Sequence, residues 1–356
     1  MIERCKYRKP GMRLLICSLV LLQTLSAAGD PRIVRLAREA GSKGWIVYSA
    51  KTEKGDWDLF LMRPDGSHRR NITNTPGTNE IGARFSPDGK RILFRRIPLE
   101  IKFNHDWWGR AGRLVIAGAG GSNPVDYGEI PWASWGPDGR QLACLTRTGI
   151  EIRDTATRQV LRTLDRKGIY QQLYWSPDGK WFTGTANAFG EVWTVVRLNA
   201  ATGEVNAVAK FQNCTPDWFP DSQRIIYSSR PANQEDADLE MAKAVGQPPG
   251  YGWTQLWSAK ADGSQRSLIY GEDGKHVYAG ALSPDGKYVL FTLSTSDGNE
   301  AAAEMRLMRM SDTPAIGGVS KALRKLHPHT KDGPVLPLGL GWEPHWTYTE
   351  IGGGKR

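Results

Sequence analysis

The sequence predicts an all-β chain folded as a six-bladed β-propeller, closed by its C-terminal innermost strand joining the N-terminal strands. Three observations predict it. The turn Ser-Pro-Asp-Gly-Lys stands at 86–90, 176–180 and 283–287, with near copies at 136–140 (Gly-Pro-Asp-Gly-Arg) and 219–223 (Phe-Pro-Asp-Ser-Gln). The short runs flanking each copy are rich in β-branched and aromatic residues, as strands are. From Pro87 the copies recur at steps of 50, 40, 43 and 64 residues, and a degenerate copy follows 60 residues later at Pro344. A unit of about four strands in ~40 residues is a propeller blade.

Each element follows from its residues. Pro87 sets φ for the first corner of a turn, Asp88 hydrogen-bonds nearby backbone, and Gly89 accepts positive φ. The same roles fall to Asp138 and Gly139, Asp178 and Gly179, Asp285 and Gly286. The strand before each turn is named A and the one after it B. A second hairpin, with Asp65-Gly66 or Asp262-Gly263 at its tip, supplies C and D. A strands are expected around Phe85, Trp135, Trp175, Trp218, Leu282 and Trp342, the last over Leu338–Trp342. The first B strand, Gly44–Ala50, lacks an A strand before it, so the two incomplete ends make one blade. Such closure leaves no long open sheet edge at the seam.

The expected domains are 1–28 as signal peptide, 29–43 as a short leader or linker, 44–350 as the propeller and 351–356 as a tail. A basic stretch precedes the apolar run Leu14–Leu25, and Ser26-Ala27-Ala28 supplies small residues for cleavage. The expectation is an exported protein, periplasmic or extracellular, with no stable membrane insertion after cleavage. The chain carries a formal charge of +10, of which residues 1–28 hold +4, leaving +6. This mild bias favours anionic partners, and no dense Lys/Arg block marks a nucleic-acid footprint. Cys144 and Cys214 fall on strand B of one blade and strand A of the blade two further on, and they read as buried apolar residues.

The "SPDGK", "GPDGR", "FPDSQ", "LMRPDGS" and "AKADGS" segments resemble the TolB-type, WD-like propeller repeats of exported bacterial proteins, from about Gly44 to Trp346. The resemblance implies a propeller and names no activity, because folds host many. TolB itself carries an α/β domain before its propeller, whereas only some fifteen residues separate the expected signal from the first strand here.

No catalytic motif stands out. Gly-x-Ser-x-Gly is absent. The glycine-rich 118–124 reads as a C–D turn. His327 and His329 are too few for a zinc site. Glu235, Asp236, Asp238 and Glu240 lack calcium-loop spacing. No cofactor or metal is expected. Function is placed in the long loops instead. Ile97–Ala111, Pro231–Trp253 and Ser294–Ala303 are B–C loops, and His327–Pro337 is read as a D–A loop on the same face. Long loops on a rigid scaffold mark a working surface. Candidate binding residues there are His105, Asp106, Trp107, Trp108, Tyr251 and Trp253, joined by Glu80, Glu129 and His276 at the channel mouth. The aromatics either anchor a partner or tuck their loops onto the blades. The expected function is a non-enzymatic, monomeric binding module with an envelope or secreted protein partner. A glycan ligand, or a carbohydrate lyase or hydrolase, is the alternative, and clustering of Glu80, His105, Glu129 and His276 would favour it.

Overall fold

The computed structural model describes residues 29–101, 111–189, 193–210, 212–230, 253–295 and 302–352. Six sheets, each one blade, account for the strands. The first holds β1 (Trp45–Lys51), β2 (Trp57–Met62) and β3 (Arg70–Asn71). The second holds β4 (Thr78–Phe85), β5 (Arg91–Pro98), β6 (Arg113–Gly118) and β7 (Val125–Gly128). The third holds β8 (Trp132–Trp135), β9 (Gln141–Leu145), β10 (Ile150–Asp154) and β11 (Val160–Leu164). The fourth holds β12 (Ile169–Trp175), β13 (Trp181–Ala186), β14 (Thr194–Asn199) and β15 (Val205–Ala209). The fifth holds β16 (Asn213–Trp218), β17 (Arg224–Ser229), β18 (Gln255–Lys260), β19 (Ser267–Gly271) and the two-residue β23 (Ala315–Ile316). The sixth holds β20 (His276–Leu282), β21 (Tyr288–Ser294), β22 (Glu304–Arg309) and β24 (Leu336–Leu340). β25 (Trp342–Thr347) pairs antiparallel with β1 and closes the ring. No helix among the described residues is long and apolar enough to cross a membrane.

The repeated turn is built alike each time. Ser86 Oγ donates to Asp88 Oδ1 at 2.6 Å and accepts from Arg91 N at 3.0 Å, while Asp88 Oδ1 accepts from Lys90 N at 3.1 Å. Ser176 with Asp178, and Ser283 with Asp285, repeat the pattern. Gly89, Gly139, Gly179 and Gly286 all lie at φ between 68° and 76°. The serine hydroxyl ties both arms of the hairpin, so the motif is architectural. It also holds Asp88 below the usual carboxylate range, because the Ser86 hydroxyl bonds the charged form.

Apolar clusters fill the gaps between blades. Val47, Leu59 and Leu61 of the first blade meet Phe85, Ile92 and Phe94 of the second. Trp218 and Tyr227 of the fifth meet Val195 of the fourth. The seam between first and sixth blades buries Ile46, Tyr48 and Trp346 against Tyr288, Leu290 and Leu307. Helix α1 (Pro31–Gly41) locks this seam. Asp30 caps it by accepting from Arg32 N at 2.8 Å, Pro31 suits its first turn, and Leu36 and Ala40 are buried in the seam. Glu39 accepts from Tyr288 Oη and from Arg309 Nη2, and Trp346 Nε1 donates to Lys43 O at 2.6 Å. Cys144 is buried on β9, and Cys214 lies on β16.

Two boundaries differ from expectation. The closing A strand is Trp342–Thr347, not Leu338–Trp342, since Leu336–Leu340 is the fourth strand of the sixth blade. Pro344 is no turn proline but lies within the strand, and Trp346 occupies the place of Phe85 and Trp218. A shared feature fixes that register. Gly82, Gln172, Thr215, Ala279 and Glu343 have φ of 66°, 56°, 47°, 51° and 50°, each three residues before the aromatic or leucine that ends or nearly ends its A strand. All five sit at a bulge in the A–B pairing. The second difference concerns His327–Pro337. It belongs to the C–D connection between β22 and β24, so it leaves from the Pro-Asp-Gly turn face, opposite the other long loops. The Ser-Asp-Thr-Pro stretch at 311–314 resembles a tight C–D turn. The chain instead runs out as β23 along the fifth blade and forms α2 (Lys321–Leu326) before returning.

Candidate functional site

Strands alternate in direction, so the B–C and D–A loops share one face. There a cleft of about 920 Å³ opens over the second, third and fourth blades. Pro98 and Arg113, from the ends of β5 and β6, form one wall. Glu129 comes from the β7–β8 loop and Arg147 from the β9–β10 loop. Arg166 comes from the β11–β12 connection and Tyr170 and Gln171 from the start of β12, Asn187 follows β13, and Trp193 precedes β14. Three cations therefore face one carboxylate. Arg113 pairs with Asp126 at 2.7 Å, and this guanidinium holds Asp126 below the usual carboxylate range. Arg147 and Arg166 are exposed and make no ion pair among the described residues. Asp165 forms its ion pair with Lys167, at 3.2 Å, and none with Arg166.

Beneath the face, the inner strands surround an axis that charged groups bridge. Arg84 of the second blade reaches Asp217 of the fifth at 2.6 Å, and its guanidinium lies 4.2 Å from the centroid of the Tyr174 ring of the fourth. Burial works against the Arg84 charge, but the facing Tyr174, Asp217 and Glu343 outweigh it and push its pKa up. Tyr174 is pushed up to about 12 by burial, with Arg84 pulling the other way. Burial also raises Glu343, against the pull of Arg95 and Arg84. His345 is driven well below its usual range by burial and by Arg84, and its Nδ1 accepts from Phe85 N at 3.1 Å. Gly82 keeps room for this layer. A methyl there would sit 3.2 Å from Glu343 Oε2 and 3.6 Å from Arg95 Nε, besides facing φ of 66°. The cluster cross-braces opposite blades.

The candidate residues fall into separate places. Trp253 and His276 do meet, with ring centroids 4.9 Å apart. His276 Nδ1 lies 2.9 Å from Thr254 Oγ1, which donates to Tyr278 Oη at 3.2 Å, and Arg230 Nη2 donates to the same oxygen at 2.9 Å. The Arg230 guanidinium lies 5.0 Å from the centroid of the Trp193 ring, linking this polar group to the cleft wall. Glu80 is fully buried, and its Oε1 accepts two bonds from Arg96, at 2.7 and 3.0 Å. Glu129 is on the cleft rim, exposed. His105, Asp106, Trp107, Trp108 and Tyr251 lie outside the described residues, as do Glu235, Asp236, Asp238, Glu240 and residues 1–28. His327 is half-buried against Trp257, with ring centroids 5.8 Å apart, and burial lowers its pKa. His329 is exposed.

Arg147, Arg166 and the axial cluster were missed as site residues. For the axial cluster a signal existed. The residue before each strand-ending Phe, Trp or Leu forms one column, reading Arg84, Ser134, Tyr174, Asp217, Ala281 and His345. The structure brings Arg84, Tyr174, Asp217 and His345 together from that column.

No protein-family model matches the sequence, and no curated protein matches it. The fold does match solved structures. TolB from Acinetobacter baumannii superposes with a TM-score of 0.59 at 18% identity, covering 86% of this chain and 67% of that one. A nidogen/laminin complex matches with a TM-score of 0.51 at 12% identity, covering 75% and 90%. An oligogalacturonate lyase from Vibrio parahaemolyticus matches at 0.42 with 14% identity, covering 74% and 71%, which is too loose to bear on chemistry. At such identities the likeness establishes the fold alone, a TolB-like six-bladed propeller.

Proposed function

We propose that the chain is an exported, non-enzymatic binding module that holds an extended acidic segment of an envelope or secreted protein in the cleft of its long-loop face. The observation that carries this is the pair Arg147 and Arg166, two cations without ion-pair partners among the described residues, on the wall of a concave site. Exposed arginines of this kind recognise carboxylates by paired hydrogen bonds. They also steer acidic partners towards the face. The nidogen/laminin match comes from a complex between proteins, which agrees with a protein partner without identifying one. Export rests on the basic stretch, apolar run and small residues of 1–28.

Fluorescence titration with a labelled oligoglutamate peptide tests the cleft. The expected result is salt-sensitive binding that the Arg147→Glu/Arg166→Glu variant weakens at least about tenfold, near 1.4 kcal/mol. Equal binding by the variant would overturn the reading. N-terminal sequencing of the mature protein tests export, with a start near Gly29 expected and an intact Met1 or Met12 contradicting it.

Tyr170 and Trp193 on the cleft wall favour a second reading, an acidic glycan stacked on aromatic rings. A glycan array decides between the two. A carbohydrate-cleaving enzyme has less support. Glu80 is held by Arg96, and Glu129 lines the cleft whereas His276 is buried against Trp253, outside the cleft lining.

A further inference from the structure

The fifth blade carries a fifth strand that the chain supplies to itself. β23 lies parallel to β19, with Ala315 opposite Tyr270 and Ile316 opposite Gly271. It joins β19 just past a bulge, where Leu256 pairs with Tyr270 and Trp257 with Leu268, leaving Ile269 as the extra residue. Among the described residues, the third blade presents the same outer edge without a cover. Ile152 pairs with Arg162 and Arg153 with Val160, so Leu161 is the extra residue and Arg162–Leu164 corresponds to the stretch that β23 covers. In the described structure β11 pairs with β10 alone. An uncovered edge is a template for another strand.

The surroundings specify what would fit. Val160 and Leu161 are 48% and 52% exposed, the one adjacent pair of exposed large hydrophobic side chains among the described residues. The segment is also basic. Arg158, Arg162, Arg166 and Lys167 stand within ten residues, with Asp165 the one acid. A second copy of the chain is a poor occupant, because antiparallel self-pairing of β11 about Arg162 sets that arginine against its own copy and Arg158 against Arg166 of the copy, and like charges across strands are unfavourable. The cover is therefore an acidic strand. β11 runs towards the long-loop face and is followed at once by Arg166 on the cleft wall.

We propose that the third blade takes its fifth strand from a partner. An extended acidic segment lies parallel to β11 along Arg162–Leu164, with apolar side chains on Val160 and Leu161 and carboxylates on Arg162 and Arg166. Its continuation over Arg166 into the cleft rests on the binding reading above, whereas the strand addition stands on the β11 edge itself.

The test uses a fluorescein-labelled peptide of alternating glutamate and valine, and a twin N-methylated at every backbone amide. The twin keeps the charges and side chains but cannot form a ladder. The expected result is binding by the first peptide, at least about tenfold weaker binding by the twin, and slowed amide exchange at Thr163, whose N–H points away from β10, with the first peptide alone. Val160→Asp/Leu161→Asp should weaken binding to a similar extent while leaving the melting temperature unchanged, since both side chains are exposed. Equal binding by the twin, unchanged exchange at Thr163, or no binding at about 1 mM peptide overturns the fifth strand. Arg147→Glu separates the two readings. If it abolishes binding while the twin binds as well as the first peptide, the cleft stands and the strand falls. If it changes nothing while the twin fails, the strand stands and the cleft falls.

Discussion

The two faces of the ring use their residues in opposite ways. On the turn face, short hairpins repeat one hydrogen-bond pattern, and each Ser, Asp and Gly is consumed in making the turn. On the long-loop face, loop lengths differ from blade to blade, and Arg147 and Arg166 project into a cleft without an ion pair among the described residues. The axial cluster lies between, paying for its buried charges by pairing them across the ring. Repetition marks residues committed to construction, and departure from repetition marks residues left over for recognition. The long C–D excursion of the sixth blade qualifies this. It sits on the turn face, yet it is spent on construction, covering the edge of the fifth blade.

The comparison predicts large stability effects from the frame and small ones from the recognition surface. The largest follows removal of β25, by truncating the chain after Gly341. That strips Trp346 from the seam and Trp342 from its packing against Tyr278, and leaves β1 without its inner partner. Lost buried aromatics cost about 3–5 kcal/mol each, against a total stability of about 5–15 kcal/mol. The truncated chain should unfold or aggregate in a thermal melt, and a folded monomer would break the closure.

Next is Arg84→Ala. It leaves Asp217 unpaired at a site where the two side chains are 12% and 17% exposed, so a loss of about 3 kcal/mol is expected in denaturant unfolding. Asp217→Ala should cost a similar amount, and the double variant less than the sum. Additive costs would mean that the axial pair is incidental.

The turns come third, and the structure sharpens the order among them. Gly89, Gly179 and Gly286 all have positive φ, where a branched residue costs about 1–3 kcal/mol. A side chain at Gly89 would also approach within 2.3 Å of Thr347 Oγ1, whereas the nearest atoms are 3.3 Å away at Gly179 and 3.6 Å at Gly286. Gly89→Val should therefore lower the melting temperature most. Equal losses at all three would show that φ alone decides.

These rankings also show what was legible. The turn chemistry is local, five residues in a row, so blade count and closure followed from reading it. The axial cluster is not local. Arg84 and Asp217 are 133 residues apart and meet because two blades face each other. The bulges that aim these side chains occur at Gly82, Gln172, Thr215, Ala279 and Glu343, residues with no common chemistry. The cleft was legible as a face but not as arginines, since the aromatic loops drew attention from Arg147 and Arg166. The C–D excursion was misplaced because a two-residue strand such as Ala315–Ile316 leaves no periodicity to read.

A smaller effect concerns pH. Burial and Arg84 hold His345 well below its usual value, so it stays neutral in the folded chain while the unfolded chain takes up a proton as pH falls below 6.5. Its contribution is fully present above 6.5 and is lost as pH falls towards the folded value, at no more than about 1.4 kcal/mol per pH unit. Glu343 is shifted up, so its contribution has the opposite sign. It is complete below 4.5 and fades as pH rises through the folded value. His345→Gln should flatten the loss of stability just below pH 6.5. An unchanged slope there would mean that His345 takes its proton while folded. Smallest of all, Arg147→Glu and Arg166→Glu should change stability by no more than about 0.5 kcal/mol.

The contrast between faces is tested most directly by site-specific photocrosslinking in the native host. A photoreactive residue is placed at Arg147 or Arg166 on one face, and at Lys90, Lys180 or Lys287 beside the repeated turns on the other. The account predicts a discrete crosslinked protein from the loop-face positions and none from the turn-face positions. Crosslinks from Lys90, Lys180 or Lys287, with none from Arg147 or Arg166, would contradict it.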